Sequence, residues 1–221
     1  MLRVDDVKVT IKGFEILRGI NLGIPGSGLI GLVGRNGAGK TTTLKSIMGI
    51  MPVSSGLIEL DGQNLTQVPG HRRARLGIGY MPEEPRLIGV HSVQDNLLMP
   101  AWATGRQDEN ERLDYIYGLI PDLKTWADNK ATQLSGGQQK LVALGRAMMN
   151  GTKLLLLDEP FEGLAPALGQ KLGEIIRGIQ HEGLSILIAE SDDKRLDFVE
   201  EMYTIERGEI LQTGDQRPKG Q

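Results

Sequence analysis

The feature that most constrains the fold of this chain is a short apolar run that leads straight into a glycine-rich loop. Residues 29–33 form that run, which is typical of a strand buried on both faces. Residues 34–39 contain three glycines, and residues 41–50 then show apolar side chains at helical spacing. The order strand, glycine loop, helix predicts an α/β core built on a parallel sheet.

Other segments complete this α/β pattern. Further strands are predicted at 2–11, 16–24, 56–60, 76–81, 153–157 and 185–189, a helix at 167–179, and a hairpin at 202–211. The first two strands are expected to pair antiparallel, whereas the apolar runs at 153–157 and 185–189 belong to the parallel core. Residues 92–148 are predicted to be mostly helical, and the polar residues 216–221 are expected to fray.

A length of 221 residues suits one domain with two parts. We predict a core of residues 1–84 and 146–221, with an antiparallel β subdomain at its N-terminal end, and a helical subdomain inserted at residues 85–145. The net charge of −3 provides no strong global field that would favour nucleic acid or anionic lipid. The absence of cysteine excludes disulfides, cysteine zinc sites and thiol nucleophiles.

No segment predicts insertion into a membrane. The N-terminus shows no apolar stretch of the kind found in signal peptides. The apolar runs, such as 154–157, are far shorter than the ~20 residues of a membrane span. If the chain acts at a membrane, we therefore expect it to do so through a partner protein.

Residues 34–41, GRNGAGKT, match the pattern G-x-x-x-x-G-K-[ST]. Its glycines let backbone N–H groups curl around phosphate oxygens, and the positive end of the next helix dipole faces the same anion. Lys40 is expected to neutralise the β- and γ-phosphates, and the Thr41 hydroxyl to ligate Mg²⁺. The residues predicted to contact nucleotide here are Gly34, Arg35, Asn36, Gly37, Ala38, Gly39, Lys40, Thr41 and Thr42. Residues 26–31 fit a dinucleotide pattern, but they precede a strand instead of opening a helix, so that pattern is rejected.

Two acidic residues, Asp158 and Glu159, follow the apolar run at 154–157. At the carboxyl end of a core strand they would face the ligand crevice. Asp158 is expected to hold Mg²⁺, and Glu159 to polarise an attacking water as general base. The alternative is a polar turn that ends at Pro160, but the glycine loop elsewhere in the chain favours the functional interpretation.

A second glycine-containing segment, LSGGQ at 134–138, begins a helix expected to run to about Met149. Ser135 is predicted as its N-cap, and Gly136 and Gly137 leave backbone N–H groups exposed. On these residues alone, the segment is either a second anion site or simply a capped helix with a flexible start.

Together, GRNGAGKTT (34–42), LSGGQ (134–138) and LLLLDEP (154–160), in this order, resemble the nucleotide-binding subunit of an ATP-binding-cassette (ABC) transporter. The resemblance covers nearly the whole chain and implies a P-loop, RecA-like ATPase core that binds ATP and Mg²⁺. It also implies two subunits that sandwich two ATP molecules head to tail. In that sandwich, residues 34–42 of one subunit would face the other subunit's signature segment, Ser135, Gly136, Gly137 and Gln138.

The resemblance further implies transmembrane permease subunits as partners, a place at the cytoplasmic face of the membrane, and no role for nucleic acid. Stretches 81–85, 145–149 and 158–166 are similar to branched-chain amino acid importer ATPases. That similarity implies solute uptake with a solute-binding protein in the same system, and a homo- or heterodimer. The alternatives are an export-type cassette, a non-transport ABC ATPase acting on nucleic acid or ribosomes, and a degenerate cassette that binds ATP but hydrolyses it weakly.

The sequence departs from the family's pattern at three positions. Glu83 stands where the family usually has a glutamine, and its carboxylate is still expected to ligate Mg²⁺. Ser191 stands where a histidine usually contacts the γ-phosphate, so one uncharged hydrogen bond to nucleotide is expected there. Ile11 stands where an aromatic residue stacks on adenine, and Phe14 lies three residues out of register.

Two further groups of residues have a structural interpretation. The basic cluster Arg72, Arg73 and Arg75 is expected to form a solvated helix face instead of a nucleic-acid contact. Trp102 and Trp126 are expected to pack in the core or the helical subdomain, with a docking groove for a transmembrane partner as the alternative.

Overall fold

A computed structural model of the protein describes residues 1–215, with side chains described up to Leu211. The strands are β1 (Leu2–Ile11), β2 (Phe14–Ile24), β3 (Leu29–Val33), β4 (Ser55–Leu60), β5 (Gln63–Asn64), β6 (Ile78–Met81), β7 (Leu154–Asp158), β8 (Ser185–Glu190), β9 (Glu201–Glu206) and β10 (Glu209–Asp215). The helices are α1 (Lys40–Met48), α2 (Gly70–Arg75), α3 (Val93–Thr104), α4 (Glu109–Leu119), α5 (Pro121–Thr125), α6 (Gly136–Asn150) and α7 (Pro166–His181). The expected fraying of 216–221 lies outside the described residues.

The strands form two sheets. The smaller sheet has the order β2–β1–β4–β5 and is antiparallel, which confirms the predicted N-terminal pair. The larger sheet has the order β10–β9–β3–β8–β7–β6. Its strands run parallel except for β10, which closes the C-terminal hairpin with β9. The predicted α/β class is confirmed.

The central strands are continuously apolar because both of their faces are buried. In β7, Leu155 and Leu157 face a cluster shared with α3, α4, α6 and α7. Leu154 and Leu156 face the opposite cluster, which is shared with α1 and the antiparallel sheet. Successive side chains of a strand point to opposite faces, so a strand with two covered faces needs an apolar residue at every position.

Most of the helices lie between β6 and β7, as the sequence predicts. One of them, α6, runs unbroken from Gly136 to Asn150 and so crosses the predicted boundary at residues 145 and 146. Within residues 1–215, no helix combines the length and the apolar character needed to cross a membrane.

Some element ends differ from the prediction. Helix α1 ends at Met48 because Gly49 adopts a left-handed conformation (φ 75°) and its N–H bonds back to carbonyls of the last turn. The strand predicted from residue 76 begins only at Ile78, since Leu76 caps the C-terminal end of α2 and Gly77 continues the turn. The two-residue strand β5 was not predicted, because so short a pairing has no periodicity to detect.

The prediction of a solvated arginine face is wrong at Arg73, which is only 2% exposed. Its guanidinium donates to the carbonyl oxygens of Ser46 (2.8 Å) and Ile47 (2.7 Å), near the C-terminal end of α1, and to that of Val68 (2.7 Å). The last carbonyls of a helix lack partners within the helix, and Arg73 donates hydrogen bonds to two of those in α1. Arg72 and Arg75 are exposed, as expected.

The two tryptophans differ. Trp126 packs against the core cluster that contains α3 and α6, which agrees with the expectation. Trp102 is 55% exposed, so the prediction that it packs in the interior is wrong. It lies on α3 next to Ala101, which is fully buried, because the helix turns by about 100° per residue and places the two on different faces.

Candidate functional site

Four parallel strands end side by side and bring distant parts of the sequence to one edge of the sheet. The strands are β3, β8, β7 and β6, which are neighbours in that order. Residues 34–39 follow β3, Ser191 follows β8, Glu159 follows β7, and Glu83 lies two residues beyond β6. In open α/β sheets, ligands bind at this carboxyl edge.

The loop at 34–39 needs glycine for close packing and for its backbone conformation. A Cβ atom on Gly34 would lie 2.3 Å from the carbonyl oxygen of Ile205, and Gly39 has φ 118°. Helix α1 begins at Lys40, with Gly39 as an N-cap that has no side chain to offer. The N–H groups of the first turn and the positive end of the helix dipole are therefore directed at the loop, which suits an anion.

The ammonium of Lys40 lies inside the loop. Its Nζ donates to the carbonyl oxygen of Gly34 at 2.7 Å and forms an ion pair with Glu159 at 3.0 Å. The Ser191 hydroxyl is 3.3 Å away. Three residues thus meet at one point: Lys40, the expected phosphate ligand; Glu159, the expected base; and Ser191, at the position of the family's histidine.

The Glu159 carboxylate is held by several donors. The hydroxyl of Ser191 donates to Oε1 at 2.5 Å, and the Ser191 N–H donates to Oε2 at 3.1 Å. Burial opposes ionisation, but the hydrogen bonds from Ser191 and Lys40 outweigh it and lower the pKa of Glu159. The carboxylate form, which a general base requires, is therefore favoured.

Asp158 is fully buried and faces the start of α1. Its Oδ1 accepts from the Thr41 hydroxyl at 3.0 Å, and its Oδ2 accepts from the Tyr80 hydroxyl at 3.0 Å. Burial raises the pKa of Asp158 despite these two hydrogen bonds. A buried carboxylate of this kind is stabilised by a cation, so its surroundings suit a metal ligand.

The oxygen donors fit Mg²⁺. Glu83 is exposed, and its pKa is raised by partial burial and by the neighbouring carboxylates of Glu162 and Asp158. In residues 1–215 no group of three or more acidic or histidine side chains could hold a metal by itself. Mg²⁺ does not need one, because it keeps several waters and commonly binds through one or two carboxylates together with substrate phosphates.

Two clefts meet at this edge of the sheet. The loop cleft, about 530 Å³, is lined by Ile11, Ile16, Asn36, Gly37, Gly39, Lys40, Thr41, Thr42, Glu83 and Glu159. The second cleft, about 420 Å³, is lined by both acidic and basic residues; its lining includes Thr41, Tyr80, Glu83, Asp158, Lys45, Arg86 and Arg146. Thr41 and Glu83 line both clefts. Ile11 therefore lies at the site, whereas Phe14 is 74% exposed.

The signature segment is arranged as a capped helix start. Ser135 caps α6, accepting from the Gln138 N–H at 3.3 Å, while its own N–H donates to the Gln138 side chain at 2.8 Å. Ser135 and Gly136 are exposed. In the part of the chain that the structure describes, no hydrogen bond or ion pair joins this segment to residues 34–42.

Three residues at the site were not singled out from the sequence. Tyr80 donates to Asp158, Glu190 accepts from the Phe161 N–H at 2.9 Å, and Lys140 donates to the Glu159 carbonyl oxygen at 2.7 Å. Glu190 carried one usable signal, a carboxylate at the end of an apolar strand next to Ser191. No feature of the sequence singled out Lys140, since a lysine on a helix usually points to solvent.

Comparison with known proteins agrees with this geometry. The family model described as ABC transporter matches residues 17–162. The high-affinity branched-chain amino acid transport ATP-binding protein BraG of Pseudomonas aeruginosa is 34% identical over 212 residues, which are 96% of this chain and 91% of BraG. The lipopolysaccharide export system ATP-binding protein LptB of Escherichia coli (strain K12) is 32% identical over 206 residues, with coverage of 92% and 86%.

A solved structure is similar over the same extent. It is the ADP conformation of MJ1267, an ATP-binding cassette of an ABC transporter, with a TM-score of 0.87 and 26% identity. The similarity covers 97% of this chain and 91% of that one. Because the family model spans well over half of the chain and BraG aligns along nearly all of it, this chain belongs to the ABC transporter family and is an ATPase cassette.

Proposed function

We propose that this chain binds and hydrolyses Mg·ATP as the energy-supplying subunit of a membrane transporter. One observation carries the proposal: the ends of adjacent strands bring Lys40, Thr41, Asp158 and Glu159 to one pair of clefts. Residues 34–42 bind the phosphates through backbone N–H groups and Lys40. Ser191 supplies a hydrogen bond at the same point.

The reaction is the attack of water on the γ-phosphorus. Glu159 takes a proton from the water, the new P–O bond forms, and the bond from the γ-phosphorus to the bridging oxygen breaks to release ADP. To bind phosphate, Lys40 exchanges its bonds to Gly34 and Glu159 for phosphate oxygens. Thr41, Asp158 and Glu83 would hold Mg²⁺, which would supply charge neutralisation at the phosphate oxygens.

The signature segment has its role in a second subunit. Ser135 and Gly136 are exposed at the start of α6, where backbone N–H groups and the helix dipole favour an anion. We assign Ser135, Gly136, Gly137 and Gln138 to the ATP bound by the partner in a head-to-tail dimer. The dimer consists of two identical subunits or of this chain with a paralogue.

A groove between the core and the helical segment suits a transmembrane permease. A cavity of about 240 Å³ is lined by apolar residues that include Ile50 and Pro100, and by Arg146 and Asn150. Ile50, which lines this groove, is 54% exposed, and Trp102, two residues after Pro100 on α3, is 55% exposed. Aromatic side chains are enriched at protein interfaces. We assign residues 85–145 to the subdomain that transmits motion between the nucleotide and the permease at the cytoplasmic face of the membrane.

For the direction of transport we favour import of a branched-chain amino acid or a related solute, with a solute-binding protein in the system. BraG supports this at 34% identity. LptB, at 32%, makes lipopolysaccharide export the second candidate.

Purification of the tagged chain from detergent-solubilised membranes of its own host tests the transporter assignment. We expect integral membrane permease subunits to co-purify without nucleic acid, and the host to lose leucine uptake when Lys40→Ala replaces the wild-type chain. Co-purification with ribosomes or DNA would contradict the assignment. Loss of lipopolysaccharide export with normal leucine uptake would select the second candidate.

A further inference from the structure

A buried lysine on the signature helix holds the backbone of Glu159. Lys140 is only 9% exposed, and its Nζ donates to the Glu159 carbonyl oxygen at 2.7 Å. This bond joins α6 to the turn after β7, although 19 residues separate the two positions. The residue lies in the second turn of α6, two residues after the signature segment.

The turn that receives this bond is strained. Glu159 has φ 48°, a left-handed conformation that residues other than glycine rarely adopt, and which persists only where the surroundings impose it. The contacts that impose it come from two elements. In strand β8, the carbonyl oxygen of Ala189 accepts from the Glu159 N–H (2.9 Å), and the side chain of Glu190 accepts from the Phe161 N–H (2.9 Å). Helix α6 contributes Lys140.

Acidic side chains surround the positive charge of Lys140. Burial lowers its pKa, while the surrounding carboxylates of Glu162, Glu190 and Glu159 raise it. A buried ammonium without a nearby carboxylate would be costly. Here it lies among acidic groups and donates a hydrogen bond to a backbone carbonyl.

We propose that Lys140 is a positioning residue that fixes the backbone of Glu159 and so ties the orientation of its carboxylate to helix α6. The inference rests on the proposed function, in which Glu159 is the base and the signature segment binds the partner's ATP. Movement at the start of α6 then reaches the base of the same subunit through Lys140. A signature segment engaged by one ATP thereby influences hydrolysis of the other.

The test compares purified Lys140→Met, Lys140→Gln and Lys140→Arg with wild type in steady-state ATP hydrolysis with Mg²⁺. Lys171→Met is the matched control, because Lys171 pairs with Asp122 at the surface and is 44% exposed. We expect the Met and Gln variants to lower kcat by about tenfold with an unchanged KM for ATP. The Arg variant, which keeps a donor and the charge, should recover most of kcat, and Lys171→Met should match wild type.

Combination with Glu159→Gln separates this inference from the function on which it rests. If Lys140 acts through Glu159, Lys140→Gln has little further effect on the residual turnover of Glu159→Gln. A full tenfold loss in that background, or wild-type kcat for the soluble Met or Gln variants, would overturn the inference while leaving Glu159 as the base. Wild-type turnover of Glu159→Gln alone would instead remove the role of Glu159 as the base, and the absence of ATP hydrolysis by the wild-type protein would remove the proposed function.

Discussion

The ammonium of Lys40 lies 3.0 Å from the carboxylate of Glu159, and both side chains are more than nine-tenths buried. Lys40 is assigned to the phosphates and Glu159 to the attacking water. The two are therefore paired with each other within the loop. Nucleotide binding and release of the base are linked, because Lys40 cannot contact phosphate and keep all of its present partners.

This pair predicts a double-mutant result in stability. Lys40→Met leaves the Glu159 carboxylate buried without its cation, which should lower the free energy of unfolding by about 3 kcal/mol. Adding Glu159→Gln removes the unpaired charge and should recover much of the loss. Urea unfolding of the four proteins of the cycle measures the coupling, and strictly additive losses would contradict a direct interaction.

Ser191→Ala should change the pH dependence of hydrolysis. The Ser191 hydroxyl and N–H stabilise the Glu159 carboxylate, so loss of the hydroxyl should raise the pKa of Glu159 compared with wild type. The acidic limb of the pH profile of kcat then moves to higher pH, with turnover about fivefold lower on that limb, from a bond of about 1 kcal/mol. A profile that keeps its shape would show that Ser191 does not tune the base.

Glu190 should make stability fall as pH rises. Burial raises its pKa to about 8, from an ordinary value of 4.5. Its neutral form is favoured in the folded state, so its contribution is complete below the unfolded pKa and is lost as pH rises through the folded pKa. Glu190→Gln stays neutral and can still accept the Phe161 N–H. Unfolding free energies between about pH 5 and pH 9 should therefore fall less steeply in the variant than in wild type; parallel curves would rule out this titration.

Arg73→Ala should destabilise the fold without touching the site. The change removes the donor for the carbonyls of Ser46 and Ile47, and we expect a loss of about 3 kcal/mol in urea unfolding. Arg75→Ala is the control, because Arg75 is exposed, and it should stay within about 0.5 kcal/mol of wild type. Equal effects of the two changes would contradict the capping role of Arg73.

The sequence was sufficient wherever a pattern has one physical meaning. The run at 154–157 has no polar position, so it requires a strand covered on both faces, and the residues after it must lie at the carboxyl edge. The glycines at 34–39 likewise predict a tight loop, and the structure leaves no room for a side chain at Gly34. These two patterns predicted strands β3 and β7 and a ligand site at their carboxyl ends, whereas the contact between Lys40 and Glu159 was not predicted.

The sequence was insufficient where side-chain direction decides the role. Arg73 and Arg75 belong to the same basic cluster, yet Arg73 donates hydrogen bonds to carbonyls near the end of α1, whereas Arg75 faces solvent. Lys140 resembles any helical lysine until α6 is packed against the turn after β7. Trp102 was placed in the interior for the same reason, since the pattern of α3 does not tell which of its apolar side chains face solvent.

The most direct test of the central claim, that Glu159 is the base for ATP hydrolysis, is a single-turnover measurement with excess enzyme and radiolabelled ATP. Glu159→Gln keeps the size and hydrogen-bonding shape of the side chain but cannot accept the proton. Glu174→Gln, at an exposed position on α7 that lines neither cleft, is the matched control. We expect Glu159→Gln to bind ATP normally and to release phosphate about 10²- to 10⁴-fold more slowly than wild type. Phosphate release at a rate close to that of wild type would contradict it.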